Sequence, residues 1–111
     1  MNTIKSWAEE DRPREKMLAK GKESLSNAEL IAILIGSGNS NESAVDLSRR
    51  ILRDNNDNLI ELSKLSIIDL LKYKGIGEAK AVTIAAALEL GRRRRFSEAL
   101  EKPCIRNSQL A

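Results

Sequence analysis

The residues with the clearest chemical potential stand in one short stretch, where two glycines precede an alanine-rich helical run. Gly75 and Gly77 leave the backbone there free of side chains. The first amides of the helix that follows have no partner inside it and carry partial positive charge, so they readily bind anions such as phosphate. Lys74 and Lys80 flank these amides, and Ile76 should turn inward to pin the loop. The stretch therefore predicts a phosphate-binding loop.

The same stretch resembles the helix-hairpin-helix motif of sequence-independent DNA-binding proteins. The apolar and small residues that carry the resemblance flank the two glycines on both sides: Leu70, Leu71, Ala81, Val82, Ile84 and Ala85. The resemblance implies a set of DNA-phosphate contacts made by the loop and its flanks: Lys74, Gly75, Ile76, Gly77, Ala79 and Lys80. Gly75, Gly77 and Ala79 are the expected amide donors. The alternative is an ordinary tight turn between two packed helices.

Composition argues against an enzyme. The chain has no histidine and a single cysteine, which removes His-based acid–base chemistry, Ser-His and Cys-His nucleophiles, His-ligated metals and a zinc knuckle. No catalytic residue, metal site or cofactor is predicted. Because Cys104 is alone, no internal disulfide can form, and a cytoplasmic setting is expected.

Length and apolar content favour one helical domain. The 111 residues are 41% hydrophobic but only 3% aromatic, so the core must consist of Leu, Ile, Val and Ala. No run approaches the length of a membrane span, and no secretory signal is visible. Residues 1–65 carry a net charge of −1 and residues 66–111 a net charge of +4. The positive charge thus accompanies the glycine loop, in agreement with a polyanion partner. The alternative is an ordinary solvated surface, which accounts for most charge imbalances of this size.

Helix start and stop signals predict an all-α, compact bundle of about five helices. Pro13 fits the first turn of an opening helix, and Gly21 fits its end. Ser26 and Glu29 form a capping box that opens the next helix. The last strong helix should span roughly 78–95.

The apolar spacing also predicts which faces are buried. In the second helix the expected buried stripe comprises Leu30, Ile33 and Leu34. A third helix should begin near Ser43, and a short one is expected at 59–63. The third helix should bury three apolar residues and expose three arginines, namely Ala44, Leu47 and Ile51, and Arg49, Arg50 and Arg53.

An internal repeat relates the two halves of the chain. A serine cap, an apolar pair, a Gly-x-Gly turn and a second helix occur twice, about forty residues apart. The repeat predicts tandem helix-hairpin-helix motifs whose two turns lie on one side of the bundle, where they can straddle a duplex groove. Gly36, Ser37 and Gly38 would then be secondary DNA contacts, weaker because Ser37 replaces Ile76 and no lysine stands beside them. The alternative is that helix caps simply recur.

Four consecutive arginines occupy positions 92–95. Arg92 and Arg93 are further candidate DNA contacts, since arginines add backbone contacts to nucleic acid. An equally weighted alternative is that cations stabilise a helix C-terminus.

Four segments together resemble the N-terminal region of the bacterial RadC family: 12–16, 25–30, 74–81 and 87–93. This resemblance implies a DNA-repair association. It also implies a C-terminal half similar to JAB/MPN metallopeptidase domains, whose His-x-His zinc motif does not occur here. The expected organisation is an N-terminal arm at 1–11, a helical domain at 12–95 and a linker at 96–111 toward that half.

The sequence therefore predicts a non-enzymatic module that binds duplex or branched DNA through its backbone. The alternative is a helical domain that docks the JAB/MPN-like C-terminal half of the same protein. A base-excision glycosylase is rejected. Helix-hairpin-helix enzymes of that class place a catalytic aspartate after the hairpin, and no aspartate follows Asp69 in this sequence.

Overall fold

The computed structural model describes residues 12–110, and over this range the chain is all-α, as predicted. A first helix, α1, occupies 12–20, and a short 3-10 turn follows at Lys22–Ser24. The remaining helices are α2 Asn27–Ile35, α3 Ala44–Asp54, α4 Leu59–Ser63, α5 Ile67–Leu71 and α6 Glu78–Leu110. The expected arm at 1–11 lies outside the described residues.

Polar side chains begin four of these helices, largely as the sequence predicted. Ser26 accepts a hydrogen bond from the Glu29 amide at 3.2 Å, and the Glu29 carboxylate accepts one from the Ser26 amide at 2.8 Å. The same reciprocal pair opens α5 between Ser66 and Asp69. Side chains also cap α3 and α4, from Ser43 and Asn58 respectively.

The core is built from aliphatic side chains of α2 to α6. It comprises Ala28, Ile31, Ala32, Ile35, Ala44, Leu47, Ile51, Leu52, Leu62, Leu70, Ile76, Ala81 and Ile84. The three residues predicted to be buried in α3 are all fully buried. The predicted stripe of α2 was wrong, because Leu30, Ile33 and Leu34 are only partly buried. Since α2 is apolar on nearly every side, periodicity could not select the face that packs inward.

The last helix is longer than expected. It continues past Arg95, because residues 96–102 contain no glycine or proline, and it also runs through Pro103 to end at Leu110. A helix of 33 residues is about 50 Å long, and the longest dimension of the molecule is 66 Å. Every side chain at 91–100 is exposed. The outer half of α6 therefore projects beyond the bundle.

The arginine run lies within this helix and not at its C-terminus, so the helix-end interpretation was wrong. Glu89 accepts hydrogen bonds from Arg92 at 2.9 and 3.0 Å and from Arg93 at 2.9 Å. These bonds lower the pKa of Glu89 to about 2, with Arg92 the largest cause. Arg94 pairs with Glu98 at 3.2 Å. Three of the four arginines thus form ion pairs with glutamates one helical turn away on the same helix.

No helix in the described part of the chain is both long and apolar enough to cross a membrane.

Ser43, the N-cap of α3, and Ser48, within α3, should respond in opposite ways to substitution by alanine. Ser43→Ala removes the cap on the Asp46 amide and should lower the free energy of unfolding by about 1 kcal/mol. The Ser48 hydroxyl is fully buried without a hydrogen-bond partner among residues 12–110. Ser48→Ala should therefore leave stability unchanged or raise it by up to about 1 kcal/mol. Urea unfolding measures both, and a clear loss of stability in Ser48→Ala would contradict this assignment.

Candidate nucleic-acid interface

The loop between α5 and α6 is held by one inward side chain. Ile76 is only 4% exposed and packs in the core, as expected. Its own amide donates to the Tyr73 carbonyl at 3.0 Å, so that amide already has an acceptor. On either side of Ile76 the chain turns outward, and Gly77 is exposed. The loop therefore presents its second glycine to solvent.

The amides that open α6 are not capped. Gly77 stands at the N-cap position, since its carbonyl accepts the first helical bond, from the Ala81 amide at 2.9 Å. A glycine has no side chain with which to cap. Among residues 12–110, no acceptor lies within hydrogen-bond range of the amides of Gly77, Glu78 or Ala79. These amides, at exposed residues, form a concentrated set of unsatisfied donors with partial positive charge.

The two glycines of the loop are glycine for different reasons. Gly75 has φ +99°, and a Cβ there would lie 3.0 Å from the Gly38 carbonyl oxygen and 3.1 Å from the Asn39 Cβ. Gly77 has no left-handed φ, and a Cβ there would meet open space. The fold therefore requires glycine at position 75 but not at 77. A bare residue at 77 instead keeps the approach to the α6 amides open.

A second loop, between α2 and α3, packs against the first. Asn39 Nδ2 donates to the Lys74 carbonyl at 2.8 Å. Lys80 Nζ donates to the Ser37 carbonyl at 2.9 Å and to its hydroxyl at 3.0 Å. Lys74 Nζ lies 3.4 Å from the Ser40 hydroxyl. The two Gly-x-Gly loops thus lie together on one side of the bundle, as the repeat indicated.

The α2–α3 loop differs from the α5–α6 loop in its amides. The Gly36 amide donates to the Ala32 carbonyl at 2.9 Å, and the Asn39 amide to the Glu42 carbonyl at 2.9 Å. The amides of Asn41 and Glu42 both donate to Asn39 Oδ1. This loop uses its donors internally and therefore offers few to a ligand.

The predicted secondary contacts lie in this occupied loop. Besides the bonded Gly36 amide, Ser37 accepts the Lys80 ammonium through two oxygens. A Cβ at Gly38 would collide with the Glu42 carbonyl, so the tight turn requires that glycine. Contact of Gly36, Ser37 and Gly38 with DNA stays a prediction, and the geometry gives them a clear structural role.

The flanking lysines are engaged to different degrees. Lys74 is exposed and reaches only the long Ser40 contact. Lys80 is partly buried and directs two of its three ammonium donors at Ser37. Both ammonium groups nevertheless lie beside the uncapped amides in sequence, where they add positive charge.

A polar network behind the loops was not predicted. Arg50 binds the Glu42 carboxylate through two nitrogens at 2.8 and 2.9 Å, and its guanidinium lies 5.3 Å from the centre of the Tyr73 ring. The Tyr73 hydroxyl donates to Asp54 at 2.7 Å. Arg50 is therefore partly buried, and the expectation that it is exposed was wrong. Arg49 and Arg53 are exposed as predicted.

The ionisation of this network follows from its contacts. The Arg50 guanidinium, with the Asn39 amide, lowers the pKa of Glu42 to about 2. Burial and the Asp54 carboxylate raise the pKa of Tyr73 to about 12. Sequence reasoning had one available signal, since Asn39 after a glycine is typical of an Asx turn. Nothing local in the sequence indicated its partners, which stand up to 35 residues away.

The described residues bring together no group of three or more metal-ligating His, Cys, Asp or Glu side chains.

A family profile described as UPF0758 N-terminal matches residues 4–82. The chain belongs to the UPF0758 family. It is 60% identical over 106 residues to a UPF0758 protein of Flavobacterium johnsoniae, covering 96% of this chain and 46% of the relative. It is 46% identical over 110 residues to a UPF0758 protein of Porphyromonas gingivalis, covering 98% of this chain and 48% of the relative.

The chain thus spans just under half the length of these two UPF0758 relatives. A UPF0758 protein of Clostridioides difficile is 49% identical over 90 residues, which are 81% of this chain and 38% of that protein. These names identify the family and state no activity. No solved structure matches the chain.

The two loop glycines should respond differently to alanine. Gly75→Ala forces a side chain into left-handed backbone and against Gly38, so it should lower the free energy of unfolding by roughly 1–3 kcal/mol. Gly77→Ala adds a methyl group in open space and loses only the N-cap preference for glycine, which should cost under about 1 kcal/mol. Chemical denaturation compares them. Equal losses would show that the loop does not have this conformation.

Proposed function

We propose that this UPF0758 domain is a non-enzymatic module that binds the DNA backbone, with phosphate held at the start of α6. The observation that supports it is the uncapped N-terminus of α6. Side chains cap α2 to α5, whereas α6 begins at an exposed glycine. The Gly77 and Ala79 amides are the principal donors, Gly75 shapes the loop, and Lys74 and Lys80 add charge.

The chemistry of this surface fits a polyanion better than a small acid. Several amides and two ammonium groups lie within seven consecutive residues, 74–80, in a segment whose surroundings, 66–111, carry a net charge of +4. Backbone amides contact phosphates without distinguishing bases, so the proposed binding is independent of sequence. The resemblance to helix-hairpin-helix proteins and to RadC supports the same assignment and a role associated with DNA repair in the cytoplasm.

The arginines of α6 can extend this interface. Arg92 lies fifteen residues after Gly77 along one helix, or about 22 Å away. Arg92 and Arg93 are bound to Glu89, but both pairs are exposed and therefore weak in water. A phosphate can replace Glu89 at little cost. We assign Arg92 and Arg93 to secondary backbone contacts on this basis.

A second candidate function is docking of the remaining part of a UPF0758 protein, which the RadC resemblance expects to be JAB/MPN-like. From residue 90 onward, α6 exposes three large apolar side chains, Leu90, Phe96 and Leu100, which are 68%, 61% and 60% accessible. Phe96 and Leu100 are one turn apart and share a face. The relatives are about twice as long as this chain, so in a UPF0758 protein of that length the remaining half would be available as the partner of that face.

Gly77→Ser separates DNA binding from stability. The serine hydroxyl would cap the α6 amides, so the free energy of unfolding should rise by a few tenths of a kcal/mol. The same hydroxyl would compete with phosphate, so affinity for a labelled duplex should fall by roughly tenfold, as expected for losing a charge-assisted hydrogen bond. Fluorescence anisotropy measures the affinity. If Lys74 and Lys80 each neutralise one phosphate, wild-type affinity should itself fall by roughly 12-fold between about 50 and about 200 mM salt.

Gly91→Ser is the matched control, because a Cβ at Gly91, within α6, would meet open space as it would at Gly77. It should leave DNA affinity unchanged. If folded Gly77→Ser binds the duplex as tightly as the wild type, phosphate is not held at these amides.

For the docking function, the measurement is calorimetric titration of this chain with the part of the Flavobacterium johnsoniae relative outside the aligned region. The double variant Phe96→Ser with Leu100→Ser should weaken association by tenfold or more, at roughly 1 kcal/mol or more per apolar side chain lost. Ile68→Ser changes an apolar residue on α5 that is 70% exposed and should have no effect. Absence of any association with the wild-type chain would eliminate this function.

A further inference from the structure

We propose that Asn39 is a positioning residue for the phosphate loop, and that the α2–α3 loop serves as its brace and not as a second phosphate site. This inference rests on the proposed function of the α5–α6 loop. Asn39 offers no donor of its own to the phosphate. It acts through the backbone that carries the donors.

The Asn39 side chain is engaged on both sides of its amide. Its Oδ1 accepts the amides of Asn41 at 2.8 Å and Glu42 at 2.9 Å. Its Nδ2 donates to Glu42 Oε1 at 2.9 Å and to the Lys74 carbonyl at 2.8 Å. Two donors and two acceptor positions are all that a side-chain amide provides. Every hydrogen-bonding position of Asn39 is therefore used, and one of them crosses to the other loop.

The bond to Lys74 is placed where it controls the loop. The Lys74 carbonyl immediately precedes Gly75, the residue with left-handed backbone. Gly75 in turn packs against the Gly38 carbonyl and the Asn39 Cβ. The polar and steric contacts thus act on the same peptide, and together they fix the direction in which the chain leaves for Gly77.

The orientation of the Asn39 side chain is fixed by Glu42, which is itself held by Arg50. Glu42 receives Asn39 Nδ2 on the same oxygen that Arg50 Nη2 contacts, and Arg50 also lies over the Tyr73 ring. The brace therefore reaches the residue before Lys74 as well. A rotation of the Asn39 side chain would break bonds in both loops.

The far end of the loop is held by a separate contact. Lys80 donates to Ser37, two residues before Asn39. The α2–α3 loop thus holds the phosphate loop at Lys74 and at Lys80, on either side of the open amides. Binding a phosphate then requires little further ordering of the backbone, which favours affinity.

The experiment uses the full chain and two readouts, duplex affinity by anisotropy and the amide NMR shifts of Gly77 and Ala79 during titration with inorganic phosphate. Asn39→Ala should weaken duplex binding by about tenfold, comparable to the loss of one well-placed contact, and should reduce the phosphate-induced shifts. Both are measured at a temperature where circular dichroism shows the variant to be folded. Ser40→Ala, which removes only the 3.4 Å contact to Lys74 Nζ, should match the wild type.

A second pair of variants applies if Asn39→Ala does not fold. Asn39→Asp keeps the acceptors for Asn41 and Glu42 but has no donor for the Lys74 carbonyl. Ser40→Asp places the same negative charge one residue away and leaves that donor in place. Asn39→Asp should weaken duplex binding several-fold more than Ser40→Asp, because both add one negative charge near the loop but only Asn39→Asp loses the Nδ2 bonds to the Lys74 carbonyl and to Glu42.

The outcomes separate the two proposals. If the wild type binds duplex DNA and folded Asn39 variants bind as tightly as their Ser40 controls, the positioning role is overturned and the phosphate site stands. If the wild type shows neither duplex binding nor phosphate-induced shifts at Gly77 and Ala79, the proposed function fails and the positioning role fails with it. Lower thermal stability of Asn39→Ala with unchanged affinity would assign Asn39 to folding alone.

Discussion

The close approach of two glycine loops is the constraint on which the rest of this structure depends. Gly75 lies so near the Gly38 carbonyl that a single methyl group would contact it at 3.0 Å. The two backbones can approach so closely because Gly75 has no side chain and because Asn39 satisfies the Lys74 carbonyl where the loops meet. The α2–α3 unit and the α5–α6 unit are thereby locked into one body, and the direction of α6 follows from this contact.

The contact also explains why two similar segments behave differently. Both units carry a serine-capped helix, a Gly-x-Gly turn and a second helix, yet Asn39 gives the first turn an internal acceptor for its amides. The corresponding region of the second turn has Ile76 and Gly77, which offer a buried anchor and no acceptor. The amides of the first loop donate to acceptors within that loop, whereas the amides that open α6 are exposed. This division is the basis for treating the second as the binding element.

Local signals in the sequence predicted the helices and their starts well, because a cap such as Ser26 with Glu29 acts within one turn of chain. These local signals failed where the burial of a side chain depends on residues that are distant in sequence. The buried face of α2 is selected by its neighbours, and the sequence of an almost wholly apolar helix contains no preference for one side. The position of Arg50 in α3 predicted an exposed side chain, but its contacts with Glu42 and the Tyr73 ring leave it partly buried. The phosphate loop could be proposed from its glycines, whereas its brace depends on contacts up to 43 residues apart in sequence.

The continuity of α6 has a geometric consequence. Each residue of a continuous helix lies at a set distance along the axis and at a set angle about it. The position of every side chain relative to Gly77 is therefore determined by the number of residues between them. Insertion of a single residue into the middle of α6 would turn everything beyond by about 100° and advance it by about 1.5 Å. A substitution therefore changes one exposed side chain of α6, whereas an insertion or deletion changes the direction of every side chain beyond it.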